Sequence, residues 1–250
     1  MCGISGAFCF GKTESRPGDA RPSLEKITSS MNDAIAHRGV DGHQIWSSSN
    51  RAVCLGHRRL AILDLSSSGA QPMKSSDDSL VVTFNGEIYN YLEIAKELKA
   101  EGIELVAHCD TTVLLAAFKF WGKDCLKKFR GMFAFAIWDQ KKQELFCARD
   151  QLGIKPFYWW SDGNTFIFSS EIKGILASGL VPRIADNEAI SLYLQFYCIP
   201  QPRTILKDVK ALMPGHSITI SVSDGLIGEQ YFDLSEVEAD ESIGQNEAEK

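Results

Sequence analysis

The sequence predicts two stacked sheets covered by helices, a layered α/β arrangement rather than a βαβ repeat. Three observations carry that reading. Apolar runs of strand length recur along the chain, helical apolar periodicities occupy 23–36 and start again at 90 and at 110, and two successive hairpin signals fill the stretch 132–169. Neither an internal repeat nor a low-complexity tract interrupts this pattern.

Taken in order, residues 2–10 alternate small and apolar side chains and read as a buried strand, so Cys2 stands at a strand end; a Gly/Pro/charged loop follows over 11–22. Ser23 can cap a helix to about residue 36, with Leu24, Ile27, Met31 and Ile35 on one face. Strands are expected at 43–47, 52–57 and 60–65, with a turn at 66–69. The run 80–84 is a buried strand that is expected to stop at Asn85-Gly86-Glu87. Asn90 with Glu93 gives a capping-box pattern ahead of Tyr91, Ile94, Ala95 and Leu98, and a second helix from Asp110 lines up Leu114, Ala117, Phe118 and Trp121. Hairpins are expected from 132–138 with 144–148, and from 157–160 with 165–169. Beyond 186 come a short helix, the Pro200-Gln201-Pro202 stretch, and strands near 217–222 and 231–232; the acidic tail 235–250 reads as linker or disorder.

The composition, 44% hydrophobic and 23% charged over 250 residues, is that of a globular chain. A net charge of −6 without a basic run argues against a nucleic-acid or anionic membrane surface. The first ten residues lack the basic segment and apolar length of a signal peptide, so the expected location is the cytoplasm. Seven scattered cysteines without a C-x-x-C pair fit reduced thiols better than disulfides or zinc. No metal site is expected, since His37, His43, His57, His108 and His216 have no ligand spacing.

Chemistry points to the first residues. A cysteine that becomes residue one after methionine removal has its own α-amine as a base, and that group titrates at about 7.7–8.0. A thiolate attacking an amide also needs oxyanion donors and a grip on the rest of the substrate. The Asn85 amide and the Gly86 N–H can supply the donors, or the pair can be a simple strand-ending turn. Arg59 can fork onto a carboxylate or stand as an exposed strand cation. Glu87 and Asp110 are acceptors suited to an α-ammonium, although Asp110 can equally be a helix cap.

The stretches Met1-Cys2-Gly3-Ile4-Ser5-Gly6, His37-Arg38-Gly39-Val40-Asp41-Gly42, Arg59-Leu60-Ala61-Ile62, Gly69-Ala70-Gln71-Pro72-Met73, Phe84-Asn85-Gly86-Glu87-Ile88-Tyr89-Asn90, Arg130-Gly131-Met132-Phe133-Ala134-Phe135 and Arg149-Asp150-Gln151-Leu152-Gly153-Ile154-Lys155-Pro156 resemble the glutaminase domain of class II glutamine amidotransferases. The resemblance implies an α+β fold, the four-layer αββα sandwich of N-terminal-nucleophile hydrolases. It also implies Cys2 as nucleophile, Asn85 and Gly86 as oxyanion hole, and Arg59, Glu87 and Asp110 as glutamine ligands, with backbone contacts from Leu60, Ala61, Ile62 and Leu63. Within that class, Tyr193-Leu194-Gln195-Phe196, residues 199–205 and Met213-Pro214-Gly215-His216 resemble the connector of asparagine synthetases.

The expected organisation is therefore a glutaminase domain over 1–185, a connector over 186–234 and a tail over 235–250. Val40 and Thr112 depart from the family's usual proline and glutamate. No pyrophosphate or Walker-type glycine loop is present, so ATP and Mg are expected only with a synthetase domain that this chain lacks, and the glutamine step is expected to need no cofactor. The expected function is hydrolysis of L-glutamine to supply ammonia, with a separate synthetase domain or subunit as partner. A non-catalytic remnant that docks on a partner is the alternative.

Overall fold

The computed structural model describes residues 1–11, 22–61, 69–105 and 109–237. Its elements in chain order are β1 (Gly3–Cys9), α1 (Leu24–Ala34), β2 (Gly42–Ser47), β3 (Val53–Arg59), β4 (Met73–Lys74), β5 (Leu80–Ile88), α2 (Tyr91–Ala100), α3 (Asp110–Trp121), β6 (Gly131–Asp139), β7 (Glu144–Arg149), β8 (Tyr158–Ser161), β9 (Thr165–Ser169), α4 (Ile172–Ala177), α5 (Asn187–Phe196), β10 (Lys210–Ala211), β11 (His216–Ser221) and β12 (Gly225–Gln230).

Two antiparallel six-stranded sheets result, one in the order β10-β8-β9-β1-β3-β2 and the other β12-β11-β7-β6-β5-β4. The period-two alternation of each strand sorts its side chains between the layers. In β1, Ile4 and Phe8 point between the sheets with Val53, Leu55, Val81 and Trp138, where the Phe8 and Trp138 rings meet edge to face at 5.0 Å. Ala7, on the other face of β1, packs with Ile27 and Met31 of α1 and Ile175 of α4. On the far side of the second sheet, Val82, Phe84, Phe133 and Phe135 pack against Ile94 and Leu98 of α2 and Leu114 and Phe118 of α3. The layers are therefore helix, sheet, sheet, helix, as the αββα expectation requires. Both predicted hairpins form, β6 with β7 and β8 with β9. Within the stretch expected as a connector, β10 pairs with β8 and β11 with β7, so it contributes strands to both sheets.

Ser23 caps α1 by accepting from the Lys26 N–H at 3.3 Å. The capping box expected at α2 does not form. Asn90 turns its amide away from the helix, donating to the Lys128 carbonyl at 2.9 Å and accepting from the Arg130 N–H at 2.9 Å, while Glu93 pairs with Arg130 on the surface. The strand expected to stop at Asn85 runs through Asn85, Gly86 and Glu87 to Ile88, because β6 offers partners as far as Gly131. The strand expected at 60–65 is not continued: β3 ends at Arg59, opposite Gly42, and Leu60 and Ala61 are outside any strand. The remainder of that segment, with Ile62 and Leu63, lies outside the described residues, as do most of the 66–69 turn and the tail from 238. The last strand is β12 rather than 231–232, and Tyr231 just past it donates its hydroxyl to the Arg149 carbonyl at 2.6 Å. Helix α4 escapes sequence reading because six residues with Gly174 in the middle carry little periodicity. A Cβ on Gly174 would lie 2.2 Å from the Ser169 hydroxyl oxygen.

The Asn90 clip and the Glu93 pair make different predictions. Asn90→Ala removes two hydrogen bonds, one to each side of the turn before β6, and should cost about 2 kcal/mol in urea unfolding. Glu93→Ala removes an exposed pair and should cost no more than about 0.5 kcal/mol. The reverse order would restore the capping box.

Candidate active site

Eight of the ten residues singled out in the sequence, Cys2, Arg59, Leu60, Ala61, Asn85, Gly86, Glu87 and Asp110, line one cavity of about 140 Å³. Ile62 and Leu63 lie outside the described residues.

The two sheets supply its floor. Strand β1 pairs with β3 as Ile4↔His57 and Gly3↔Arg58, so continuing the register sets Cys2 beside Arg59 on the inter-sheet face. The Cys2 thiol donates toward the Leu60 carbonyl at 3.6 Å and accepts from the Leu60 N–H at 3.4 Å. Arg38 donates from Nε to the Cys2 carbonyl at 3.0 Å and is itself held by Glu171 at 2.9 Å. Gly39 lets that segment approach β3, since a Cβ there would come within 2.4 Å of the Arg58 backbone. Asp41 accepts from the Ala61 N–H at 2.8 Å, which fixes the chain just past β3.

From the second sheet, Asn85 and Glu87 share the inter-sheet face of β5. Asn85 is 2% exposed and its Nδ2 has no hydrogen-bond partner, a costly state for a buried amide in the absence of a ligand. The backbone supplies a second donor. Strand alternation points the N–H groups of Phe84, Gly86 and Ile88 to the edge away from β6; Gln71 Oε1 takes the first at 2.7 Å and Asp110 Oδ2 takes the third at 3.1 Å. The Gly86 N–H between them opens onto the cavity. A side chain cannot replace this glycine, because a Cβ would meet the Met132 carbonyl oxygen at 2.4 Å.

Asp110 is the first residue of α3, with Cys109 at the cap position, and its carboxylate accepts from Ile88 and from its neighbour Thr111 at 2.8 Å. Burial pushes its pKa up; the Ile88 and Thr111 N–H groups oppose that, and Glu87 adds to it. Two carboxylates sharing a wall favour a cation between them. Arg59 lies on the same wall system, half-buried.

Sequence reasoning missed His57, Gln71 and Lys155, which also line the cavity. Gln71 and Lys155 stand inside motifs that were quoted, so position in the motif was the available signal. His57 carried none. It is 1% exposed, with Nε2 3.1 Å from the Phe84 carbonyl. Burial, opposed by that carbonyl and assisted by Arg59, lowers its pKa to about 4. A larger cleft of about 740 Å³ lies away from this site, where Arg203 already pairs with Asp186 and Glu188. Among the described residues no group of three or more His, Cys, Asp or Glu is arranged to hold a metal, all seven cysteines are free thiols, and no helix is long and apolar enough to cross a membrane.

A thiol at a strand end, two hydrogen-bond donors in the facing sheet without protein partners among the described residues, and a layered αββα body fit the N-terminal-nucleophile type of amidotransferase. Residues 1–232 match the model of the glutamine amidotransferase domain, and the chain belongs to that family. It is 40% identical over 250 aligned residues to the putative glutamine-hydrolysing asparagine synthetase 2 of Methanocaldococcus jannaschii, covering 93% of this chain and 46% of that protein. It is 37% identical to the glutamine-hydrolysing asparagine synthetase 3 of Bacillus subtilis, covering 90% of this chain and 36% of the relative. The chain thus spans between a third and a half of these curated relatives. A solved structure described as the allosteric regulatory enzyme of purine biosynthesis shares the fold, with a TM-score of 0.67 at 18% identity over 92% of this chain and 49% of that one.

The His57 environment sets a pH dependence. Between pH 6.5 and about 4 the unfolded chain binds a proton at this histidine that the folded chain does not, so stability is fully present above 6.5 and falls as pH drops through that window. The full effect is about 3 kcal/mol. Urea unfolding at pH 7, 6 and 5 should show the slope, and His57→Leu should flatten it.

Proposed function

We propose that the chain hydrolyses L-glutamine to glutamate and ammonia through a thioester on Cys2. The observation that supports this most directly is the shared cavity: the Cys2 thiol, the partnerless Asn85 Nδ2 and the edge-facing Gly86 N–H line one space. In this reading Met1 is removed, and the freed α-amine of Cys2 takes the thiol proton. The thiolate adds to the γ-carbonyl carbon of glutamine, and the oxyanion is received by Asn85 and Gly86. The α-ammonium returns its proton to the departing nitrogen, which leaves as ammonia. Water, deprotonated by the same amine, then adds to the thioester and releases glutamate and the thiol. Arg59 grips the substrate α-carboxylate, and Glu87 with Asp110 takes its α-ammonium, relieving the repulsion between the two carboxylates. Leu60 to Leu63 would supply backbone contacts. A nucleophile, an amine and water complete this cycle, so no cofactor is required for it.

The acceptor of the ammonia is proposed to be aspartate, activated with ATP and Mg by a synthetase domain or subunit of the kind the longer relatives are named for. Helix α5 supports a covering partner, since Tyr193, Leu194, Phe196 and the adjoining Tyr197 are exposed while Ala189 is its buried residue. The proposed organisation remains a glutaminase unit to 185 followed by a connector to 234, and the proposed setting is the cytoplasm.

The test is ammonia release from glutamine by the processed protein. Cys2→Ala should abolish it with the fold intact, and Asn85→Ala should lower kcat about 10²–10³-fold. Arg59→Lys should raise KM strongly, because a point charge replaces a fork. Unchanged release by Cys2→Ala would end the reading.

A further inference from the structure

One cation in the cavity has no part in the chemistry described so far. Lys155 is 5% exposed, and its backbone is fixed on both sides: its N–H donates to Asp150 Oδ2 at 2.9 Å and its carbonyl accepts from Arg149 Nε at 2.7 Å. The same Asp150 carboxylate accepts from Phe133 at 3.1 Å and from Ile154 at 2.8 Å, and Arg149 also donates to the Gly153 carbonyl at 2.6 Å. Gly153 turns with φ +67°, a left-handed conformation that suits glycine. The whole turn from 149 to 155 is thus cinched, and it delivers a single ammonium into the cavity.

That ammonium has an unusual contact. Its Nζ lies 3.5 Å from the Met1 Sδ, a weak acceptor, and among the described residues no carboxylate is within ion-pair distance of it. A buried Lys without a carboxylate partner is expensive unless its charge is used. Burial and Arg38 draw its pKa down, while Asp150, Cys2 and Glu87 oppose the drop; Arg59 and Asp110 are the other charged groups on the cavity wall. Met1 joins Sδ to the Cys2 nitrogen through a short run of bonds, so that nitrogen lies within about 10 Å of Nζ.

We propose that Lys155 is a positioning residue for protons: once Met1 is gone, its ammonium faces the freed α-amine and thiol of Cys2 and biases them toward amine and thiolate. The inference rests on the glutaminase reading. A positive charge nearby disfavours the α-ammonium and favours the thiolate, so both members of the pair are shifted toward their reactive forms. At the separation given, a partly buried charge moves each titration by about one pH unit.

Two measurements on the processed full chain test this, for wild type, Lys155→Met and Lys155→Arg. One is the pH profile of kcat/KM for glutamine hydrolysis. The other is the pH profile of Cys2 alkylation by iodoacetamide, read by mass spectrometry of the N-terminal peptide. Loss of the cation should move the acid limb of both profiles up by about one pH unit with KM at the optimum little changed, and Lys155→Arg should restore them. Superimposable profiles for wild type and Lys155→Met would overturn the proposal. If wild type releases no ammonia, the glutaminase reading fails, and the alkylation profile still decides the role of Lys155. Lys155→Gln, which keeps length and hydrogen-bonding capacity without charge, replaces the methionine variant if that one does not fold.

Discussion

The site depends on a strand edge left open. Among the described residues, strand β4 covers β5 at Val81 and Val82 alone, and no strand takes the outward N–H groups further along β5. An uncovered edge in a buried setting must be satisfied by something else. Gln71 and Asp110 reach in from separate segments and take the N–H groups of Phe84 and Ile88. The Gly86 N–H between them is left to the cavity, its direction already set by the sheet, as the oxyanion role proposed for it would require. Continuing β5 to Ile88 is what makes this arrangement rigid, since the β6 pairing holds Asn85 and Gly86 from behind.

The other sheet solves a different problem, which is to hold a chain terminus still. The first residues of a chain fray unless they are tied down. Here β1 lies between β3 and β9, and its start is pinned by Arg38 on the Cys2 carbonyl, by the Ser170 hydroxyl on the Ile4 N–H at 3.0 Å, and by Leu60 on the thiol. Arg38 in turn is anchored by Glu171, which also receives His37 and Lys173. The thiol at the end of this strand is therefore held by both flanking segments.

The layered fold was legible because burial on two faces forces the alternation that sequence displays: Ile4 and Phe8 toward one sheet, Ala7 toward the helices. The candidate site residues were picked out by type and by position in recognisable motifs, and the eight that are described line one cavity. What sequence could not show were choices made by tertiary partners. Asn90 and Glu93 satisfy the capping-box pattern, yet the amide finds two backbone groups at 128 and 130 that outcompete the helix end. Asn85-Gly86 is a turn dipeptide by local propensity, yet a facing strand carries it through as β structure. His57 became visible only when its burial and neighbours were known, since a lone histidine has no sequence signature of its own, and Lys155, although inside a recognisable motif, was distinguished from its motif neighbours only by its burial and its place on the cavity wall.

Both signs of charge line the cavity, Glu87 and Asp110 on one hand and Arg59 and Lys155 on the other. Burial raises the Asp110 pKa and the Glu87 charge adds to it, and the Ile88 and Thr111 N–H groups oppose that rise only in part. Lys155 lies beside Met1, its pKa drawn down by burial and by Arg38 and held up by Asp150, Cys2 and Glu87. Had Lys155 been placed against Asp110, both would have been satisfied and neither would act on anything else. Two carboxylates favour an ammonium beside them, and a lysine ammonium disfavours one beside it. In the proposed glutaminase reading, an amino acid whose α-ammonium is drawn to Glu87 and Asp110 would have its far end directed toward Cys2. On that reading, charges that a folded chain holds at a cost in stability are the ones that would orient the substrate and favour the neutral amine.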